Sequence, residues 1–183
     1  MADDGFYSAG ELANLGFKSF GNNVFISRKC SIYGASGISV GNNVRIDDFS
    51  VLSGNITVGD YVHISAYAAL YGKNGIRIGN FCGVSPRSTV FSATDDFSGE
   101  WMVSPMVPQR LTNVSGGTVV FEDFVQIGAN TTVMPAVTLK EGAVTGACSL
   151  VLKDLDEWTI NFGVPCKFYR ERKRRAKELS LRV

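Results

Sequence analysis

The sequence is poor in histidine, in charge and in long apolar runs, and each shortage excludes a class of protein. Among 183 residues there is one histidine, which excludes a metal site that needs two or three histidine ligands from one chain. Lys and Arg number 18 and Asp and Glu 17, which gives a formal net charge of +1. Nucleic acids and anionic membranes attract clustered positive charge, so neither is expected as a main partner. The charged fraction of 19% is low and predicts that copies of the chain cover part of its surface.

The cysteines lack the spacing of a metal site or a redox motif. Four are present, widely separated and with no Cys-x-x-Cys pair: Cys30, Cys82, Cys148 and Cys166. The N-terminus has no basic segment followed by an apolar one, as a signal peptide requires. No run approaches the roughly 18 apolar residues of a transmembrane helix. We therefore expect reduced, buried cysteines in a soluble cytoplasmic protein of one main domain.

Glycine is abundant, with 20 residues, and a repeat accounts for it. A motif that begins with Gly and a polar residue recurs at 21–24, 41–44, 59–62 and 79–82. An aliphatic residue recurs every six positions, as in Val40, Ile46 and Leu52, and after an interruption the period returns from Phe121 to Val151. A helix has a period of 3.6 and an ordinary sheet a period of two, so six fits neither.

Three hexads make one coil of a triangular solenoid with three faces of short parallel strands. The aliphatic residues fill its interior, and the Gly or Asn beside them is expected to turn the corners through unusual backbone conformations. Bulges at Ser36-Gly37 and Asn74-Gly75 account for coils that are two residues longer. An antiparallel sandwich is the alternative, but its turns do not hold a fixed six-residue phase.

Three segments leave the pattern and define the predicted organisation. Residues 1–19 are predicted to form an N-terminal cap with a short helix, in which Ser8 and Glu11 make a capping box. Residues 20–166 form the solenoid, which a long loop at 95–118 interrupts; loops of this length are usually functional. Residues 167–183 are predicted to form a basic helix, either a solvated face or a contact for phosphates.

The hexads resemble those of the left-handed β-helix acyltransferases, the hexapeptide-repeat enzymes that use acetyl-CoA. The segments 127–135 and 141–147 are similar to the family's last coils. The closing Gly-Val-Pro-Cys-Lys at 163–167 is similar to the family's Gly-x-Pro-Ala-Lys, with Cys166 in place of alanine. The resemblance implies an all-β, left-handed parallel β-helix and a homotrimer with active sites between adjacent subunits.

The segments 63–72 and 92–99 resemble a subgroup of that family that serves bacterial cell-surface polysaccharides. This resemblance implies an acetyl-CoA-dependent N-acetyltransferase acting on a nucleotide-linked amino sugar, such as a dTDP-linked 4-amino-4,6-dideoxyglucose. The product would enter a surface polysaccharide such as the O-antigen of lipopolysaccharide. Two alternatives stay open: a sugar or glycan O-acetyltransferase like the galactoside enzymes, and a non-catalytic β-helix scaffold.

The chain departs from the resemblance at the catalytic position. Galactoside, maltose and xenobiotic branches carry a catalytic histidine in the loop after the hexad equivalent to 90–93, whereas this chain has Asp95 and Asp96 there. His63 precedes the inward-facing Ile64, so its side chain is expected to point outward. We predict His63 as the catalytic base, supported by Asp95 or Asp96 from a loop that folds back onto it or reaches a neighbouring subunit. The alternatives are that the aspartates cap a turn and that His63 has no chemistry.

The resemblance also implies that CoA lies along the backbone of the last coils, where small residues let the pantetheine arm approach main-chain amides. Its predicted contacts are Gly128, Ala129, Gly146, Ala147 and Ser149. Cations that could meet its phosphates are Lys153, Lys167 and Arg172. Small residues also fit corner geometry, and both interpretations can hold together. No metal is expected.

Overall fold

A computed structural model describes residues 5–183, so the first four residues of the predicted N-terminal cap lie outside it. Within this range an α-helix and a C-terminal α-helix flank a chain of short strands. In chain order these elements are α1 (Ala9–Asn14), β1 (Ser19–Phe20), β2 (Val24–Ile26), β3 (Ser31–Tyr33), β4 (Ile38–Val40), β5 (Val44–Ile46), β6 (Val51–Val58), β7 (His63–Ile64), β8 (Ala69–Ile78), β9 (Gly83–Val84), β10 (Thr89–Phe91), β11 (Ala93–Asp95), β12 (Val114–Gly116), β13 (Val119–Phe121), β14 (Gln126–Ile127), β15 (Thr132–Val133), β16 (Thr138–Leu139), β17 (Val144–Thr145), β18 (Leu150–Val151), β19 (Thr159–Phe162), β20 (Lys167–Glu171) and α2 (Arg175–Ser180). Short 3-10 turns add Ala35–Gly37 and Gln109–Leu111.

The strands stack in register along three faces, which we call A, B and C in the order in which the chain crosses them. Face A joins β1, β4, the second half of β6, the second half of β8, β13 and β16. Face B is the parallel series β2, β5, β7, β9, β14, β17 and β19, which gives seven coils. Face C joins β3, the first halves of β6 and β8, β10, β15 and β18. The predicted parallel β-helix is confirmed.

The interior holds the residues that the six-residue phase predicts. Every predicted inward position is buried, with at most 3% of its surface exposed: Val40, Ile46, Leu52, Val58, Ile64, Leu70, Ile78, Val84, Val90, Phe121, Ile127, Val133, Leu139, Thr145 and Val151. A bulge also lies where the longer coils predict one. Gly54 pairs with Gly72 but Ile56 pairs with Ile76, so the turn before Ile76 is two residues longer.

The corner glycines act differently from the prediction. Gly41 and Gly59 do not have positive φ, and the left-handed residue is the third of the motif, such as Asn43 at φ 55° or Tyr61 at φ 57°. Glycine is needed because coils stack closely: a Cβ on Gly59 would lie 2.9 Å from the carbonyl carbon of Gly79. The prediction of unusual backbone angles is therefore wrong for the glycine that begins the motif, whereas it is confirmed for Asn43 and for Gly75 at a bulge, with φ 98°.

The polar second residue of the motif holds successive coils together. An oxygen of its side chain accepts the backbone N–H of the equivalent residue one coil earlier. Asp60 accepts from Asn42 at 2.6 Å, and Asn80 accepts from Asp60 at 2.8 Å. Each bond satisfies a backbone donor at a corner, where a strand ladder does not reach.

The two ends of the solenoid differ in how well they were predicted. At the N-terminus, the Ser8–Glu11 capping box opens α1, and Leu12 is buried against the first coil. At the C-terminus, the predicted helix over 167–183 is confined to α2. Its first part is instead β20, which pairs antiparallel with β19 because β19 would otherwise be an exposed edge.

The cysteines are all free, but only two are buried as predicted. Cys30 and Cys82 lie in the interior, whereas Cys166 is half-buried and Cys148 is exposed. Cys148 occupies a left-handed corner, at φ 57°, and corner side chains point away from the core.

None of the helices in residues 5–183 is long and apolar enough to cross a membrane.

Candidate active site

The single histidine lies on the outer surface of face B. In β7 it precedes the buried Ile64, and its own side chain is 52% exposed, as the phase predicts. Its neighbours in the stacked strands are Arg45 of β5 and Gly83 of β9. Because Gly83 has no side chain, the surface beside the imidazole is open toward the next coil.

A carboxylate contacts His63, but it is neither of the two that were predicted. Oδ2 of Asp47 lies 2.7 Å from Nε2 of His63, and Oδ1 of Asp47 accepts from Nε of Arg45 at 2.7 Å. Partial burial raises the pKa of Asp47, but the hydrogen bonds to Arg45 and His63 outweigh it and lower that pKa overall. Within residues 5–183 neither Asp95 nor Asp96 bonds to His63, so the loop does not fold back onto the imidazole of its own chain, and its contact with a neighbouring subunit stays a prediction.

The repeat indicates which coil holds the partner of His63, although not which residue it is. A residue in one coil lies beside the residue about 18 positions earlier, so the outward side chains around Arg45 are the neighbours of His63.

His63 opens onto a slot of about 320 Å³ on face B. The slot is lined by two aromatic rings, Tyr61 and Phe81, and by the polar side chains of Ser65, Ser85 and Gln126. It combines an imidazole with hydroxyl and amide groups, which is suited to proton transfer and to orienting a polar reactant.

Asp95 lies in a second, larger cleft. The segment between β10 and β13 leaves the edge between faces C and A, and its β11–β12 hairpin closes over a cleft of about 750 Å³. Asp95, Tyr71 and Lys73 line this cleft, together with residues of the loop. A carboxylate, an aromatic ring and a cation therefore face one cavity.

Asp96 has a structural role in the same loop. Its carboxylate accepts from the backbone N–H of Ser98 at 2.8 Å and from the side-chain amide of Asn113 at 2.8 Å. These hydrogen bonds lower its pKa. The turn-capping alternative describes Asp96, whereas Asp95 faces the cleft.

The small residues predicted to contact CoA lie in the last coils, with strong packing constraints. A Cβ on Gly128 would lie 2.5 Å from the backbone nitrogen of Ala147, and one on Gly146 would lie 2.9 Å from Cβ of Phe162. Ala147 is exposed and Ala129 half-buried. Ser149 is buried, and its hydroxyl donates to the carbonyl of Gly146 at 2.7 Å. Ser149 therefore serves the corner, and its contact with CoA stays a prediction without support from this geometry.

Two of the three predicted cations share a cleft, and the third does not. Lys153 and Lys167 both line an opening of about 410 Å³ at the C-terminal end of the solenoid. Nη1 of Arg172 instead donates to the carbonyls of Phe124 and Gly142, at 2.8 and 2.9 Å. These bonds give Arg172 a structural role, and burial lowers its pKa. Within residues 5–183 no three His, Cys, Asp or Glu side chains form a candidate metal site.

Comparisons with known proteins agree with this architecture. Residues 37–72 match the family model "Bacterial transferase hexapeptide (six repeats)". The chain is 44% identical over 172 residues to the dTDP-4-amino-4,6-dideoxy-D-glucose acyltransferase of Escherichia coli, and the match covers 92% of this chain and 90% of that protein.

Solved structures of AntD, an N-acyltransferase from Bacillus cereus, are also similar. A variant bound to dTDP-4-amino-4,6-dideoxyglucose and coenzyme A superimposes with a TM-score of 0.95 at 46% identity, covering 97% of this chain and 96% of that one. A complex of AntD with dTDP and 3-hydroxybutyryl-CoA also gives 0.95, at 47% identity and with 97% and 95% of the chains covered. The chain therefore belongs to the bacterial hexapeptide-repeat transferases, and it is an acyltransferase related over nearly its whole length to the dTDP-4-amino-4,6-dideoxy-D-glucose acyltransferases.

Proposed function

We propose that the protein transfers an acetyl group from acetyl-CoA to the 4-amino group of a dTDP-linked 4-amino-4,6-dideoxy sugar. The observation that carries this proposal is the cleft beneath the β11–β12 hairpin. Lys73 suits a pyrophosphate, Tyr71 offers a ring for stacking, and Asp95 can accept a hydrogen bond from an amino group. A plain sugar has no negative charge to pair with Lys73, so this cation favours a nucleotide-linked sugar as the acceptor.

The serine and aspartate variants of AntD support a functional role for both the slot and the larger cleft. In that protein a serine and an aspartate ten positions apart were replaced singly in structures that hold dTDP or a dTDP-sugar with CoA. Ser85 and Asp95 have the same identities and the same separation here. Ser85 lines the slot that contains His63, and Asp95 lines the larger cleft. We therefore assign both openings to one reaction.

In the proposed reaction the neutral amine attacks the thioester carbonyl and a C–N bond forms. His63 takes the proton that the nitrogen loses, the tetrahedral intermediate collapses, and the C–S bond breaks. The imidazolium then returns the proton to the CoA sulfur, so that the products are the amide and CoA thiol. An amine attacks without prior deprotonation, whereas a hydroxyl does not, which favours N- over O-acetylation with a single imidazole.

The remaining parts of the proposal concern the donor, the assembly and the setting. CoA lies along the last coils, with Gly128, Ala129, Gly146 and Ala147 beside its pantetheine arm and Lys153 and Lys167 near its phosphates. The assembly is a homotrimer with sites between adjacent subunits. The product enters a bacterial surface polysaccharide such as the O-antigen of lipopolysaccharide, and the enzyme works in the cytoplasm.

A CoA-release assay tests the proposal with dTDP-, UDP- and GDP-linked amino sugars beside plain sugars. We expect turnover with the dTDP-linked amino sugar and acetyl-CoA, and little with plain sugars; 3-hydroxybutyryl-CoA as a second donor tests the acyl group. D95N should lower kcat/KM for the amino sugar about 100-fold, because the amide lacks the negative charge and turns one of the two acceptors that orient the amine into a donor. E100Q, on the same loop, should leave it unchanged. Turnover of plain sugars alone would instead favour the O-acetyltransferase.

A further inference from the structure

We infer that Asp47 is a positioning residue that holds His63 in the Nε2–H tautomer, so that Nδ1 is the atom that takes the proton from the acceptor amine. This inference deepens the proposed function and rests on it. It concerns a residue outside the loop and outside the hexad that carries His63. A carboxylate one coil away therefore determines which ring nitrogen of His63 accepts the proton.

The hydrogen-bonding capacity of a carboxylate fixes the direction of the bond. An ionised carboxylate has only acceptors, so the 2.7 Å contact between Oδ2 of Asp47 and Nε2 of His63 requires a proton on Nε2. Arg45 donates to the other oxygen, and the pKa of Asp47 lies below its usual value, which keeps the carboxylate ionised at neutral pH. In a neutral imidazole the proton on Nε2 leaves Nδ1 with the lone pair.

Exposure supports the assignment of the two ring nitrogens. The side chain of Asp47 is only 18% exposed, whereas those of Arg45 and His63 are 58% and 52% exposed. The carboxylate is therefore the shielded, fixed member of the group. Within residues 5–183 Nδ1 of His63 has no hydrogen-bond partner, and the imidazole lines the slot that also contains Ser85.

The charges around the imidazole come from one side only. On the β5 side, Asp47 is in contact with it and Arg45 is paired to Asp47. The rest of the slot is lined by Tyr61, from the coil of His63, and toward β9 and β14 by Cys82, Gly83, Ser85 and Gln126, and none of these is Asp, Glu, Lys or Arg. Asp47 therefore stabilises the imidazolium that forms when Nδ1 is protonated, and Arg45 opposes it from a greater distance.

The first test uses the fact that the chain has one histidine. Selective labelling of histidine with nitrogen-15 gives one pair of ring signals, which reports directly which nitrogen carries the proton. The wild-type protein without substrate should show the Nε2–H form near neutral pH, and D47N should show a mixture of the two tautomers. D48N is the matched control, because Asp48 pairs with Lys29 and Ser27 and not with His63. An Nδ1–H form in the wild type overturns the inference.

The second test measures kcat and KM against pH with the dTDP-linked amino sugar. D47N should lower kcat about 10- to 100-fold with KM nearly unchanged. The acidic limb of the plot of kcat against pH should move to lower pH in D47N, because the imidazolium of His63 loses a stabilising charge. In R45Q the same limb should move to higher pH, because a charge that opposes the imidazolium is removed. D48N should behave like the wild type. The positioning role of Asp47 would be overturned if D47N left both kcat and the acidic limb of its pH dependence unchanged.

The two tests separate failure of the inference from failure of the proposed function. The tautomer is read without substrate, so it stands or falls whatever the enzyme acylates. Absence of turnover with any amino sugar in the wild type contradicts the proposed function alone. Normal turnover together with an Nδ1–H imidazole contradicts the role of Asp47 alone.

Discussion

At the scale of single residues, the tight stacking of coils makes some glycines irreplaceable for a reason unrelated to flexibility. A Cβ on Gly41 would lie 2.6 Å from the carbonyl oxygen of Gly59 and would also meet the side chain of Asp60. This oxygen belongs to the backbone just after β6, so it cannot swing aside as the end of a flexible side chain can. Space between coils, and not φ, therefore selects glycine here.

We expect Gly41→Ala to lower the free energy of unfolding by about 1 to 3 kcal/mol, as overpacking does in a filled interior. Gly10→Ala is the control with the same chemical change, since Gly10 lies in α1 with no heavy atom within 4 Å of a new Cβ. It should raise the free energy of unfolding by about 0.5 to 1 kcal/mol. Urea denaturation at fixed protein concentration compares the two, and equal effects would contradict the stacking argument.

The sequence predicts the inward residues but not the partner of the histidine. A six-residue phase states which side chain of each hexad faces the core, and Ile64 and His63 follow from it. The contact with Asp47 depends on side-chain reach between coils, which the phase alone leaves open. The same limit applies to Cys148, whose corner position outweighs the preference of cysteine for the interior.

At the scale of elements, one corner of the solenoid is a column of stacked aromatic rings. Ring centroids lie 4.9 Å apart between Tyr61 and Phe81, 5.1 Å between Phe81 and Phe124, and 5.7 Å between Phe124 and Trp158. All four have positive φ, which costs energy for bulky residues. Stacking offsets that cost, because aromatic pairs gain energy beyond the area they bury.

Arg172 closes this column and connects it to the C-terminal segment. Its guanidinium lies 5.5 Å from the ring centre of Trp158 and donates to the carbonyls of Phe124 and Gly142. Removing it leaves two half-buried carbonyls without a donor and exposes the indole. Arg172 therefore anchors the chain between β20 and α2.

We expect Arg172→Ala to lower the free energy of unfolding by about 2 to 4 kcal/mol, from two lost charge-assisted hydrogen bonds and one cation–π contact. Lys173→Ala removes an exposed neighbouring cation and should change it by less than about 0.5 kcal/mol. Denaturation followed by the fluorescence of Trp158, which is buried while Trp101 lies exposed on the loop, measures both. Equal stability of the two variants would show that Arg172 is not an anchor.

Elements with a local signal were predicted, and elements that depend on an edge were not. The Ser8–Glu11 capping box lies within four residues, so α1 is readable from sequence. Residues 167–171 contain two basic and two aromatic residues, so their composition does not decide between a helix and a strand. Pairing with the edge of β19, from which four residues separate them, selects the strand β20.

At the scale of the whole molecule, the two proposed parts of the active site lie on opposite sides of the solenoid. The slot with His63 is on face B, whereas the cleft with Asp95 is at the edge between faces C and A. The hydrophobic interior separates them within one chain. A single substrate can therefore meet both residues only where two copies of the chain adjoin.

Mixing two inactive variants tests this arrangement directly. In the proposed trimers, mixed at random from H63A and D95N chains, a site is intact when His63 comes from one chain and Asp95 from its neighbour. About a quarter of the sites should then recover, because symmetry gives each site one contribution from each of two adjacent subunits. Mixing H63A chains with chains that carry both H63A and D95N is the control, since no site in that mixture contains His63. Because every chain carries at least one lesion, an active site within one chain would recover nothing in either mixture. The CoA released by the first mixture alone therefore decides between the two arrangements.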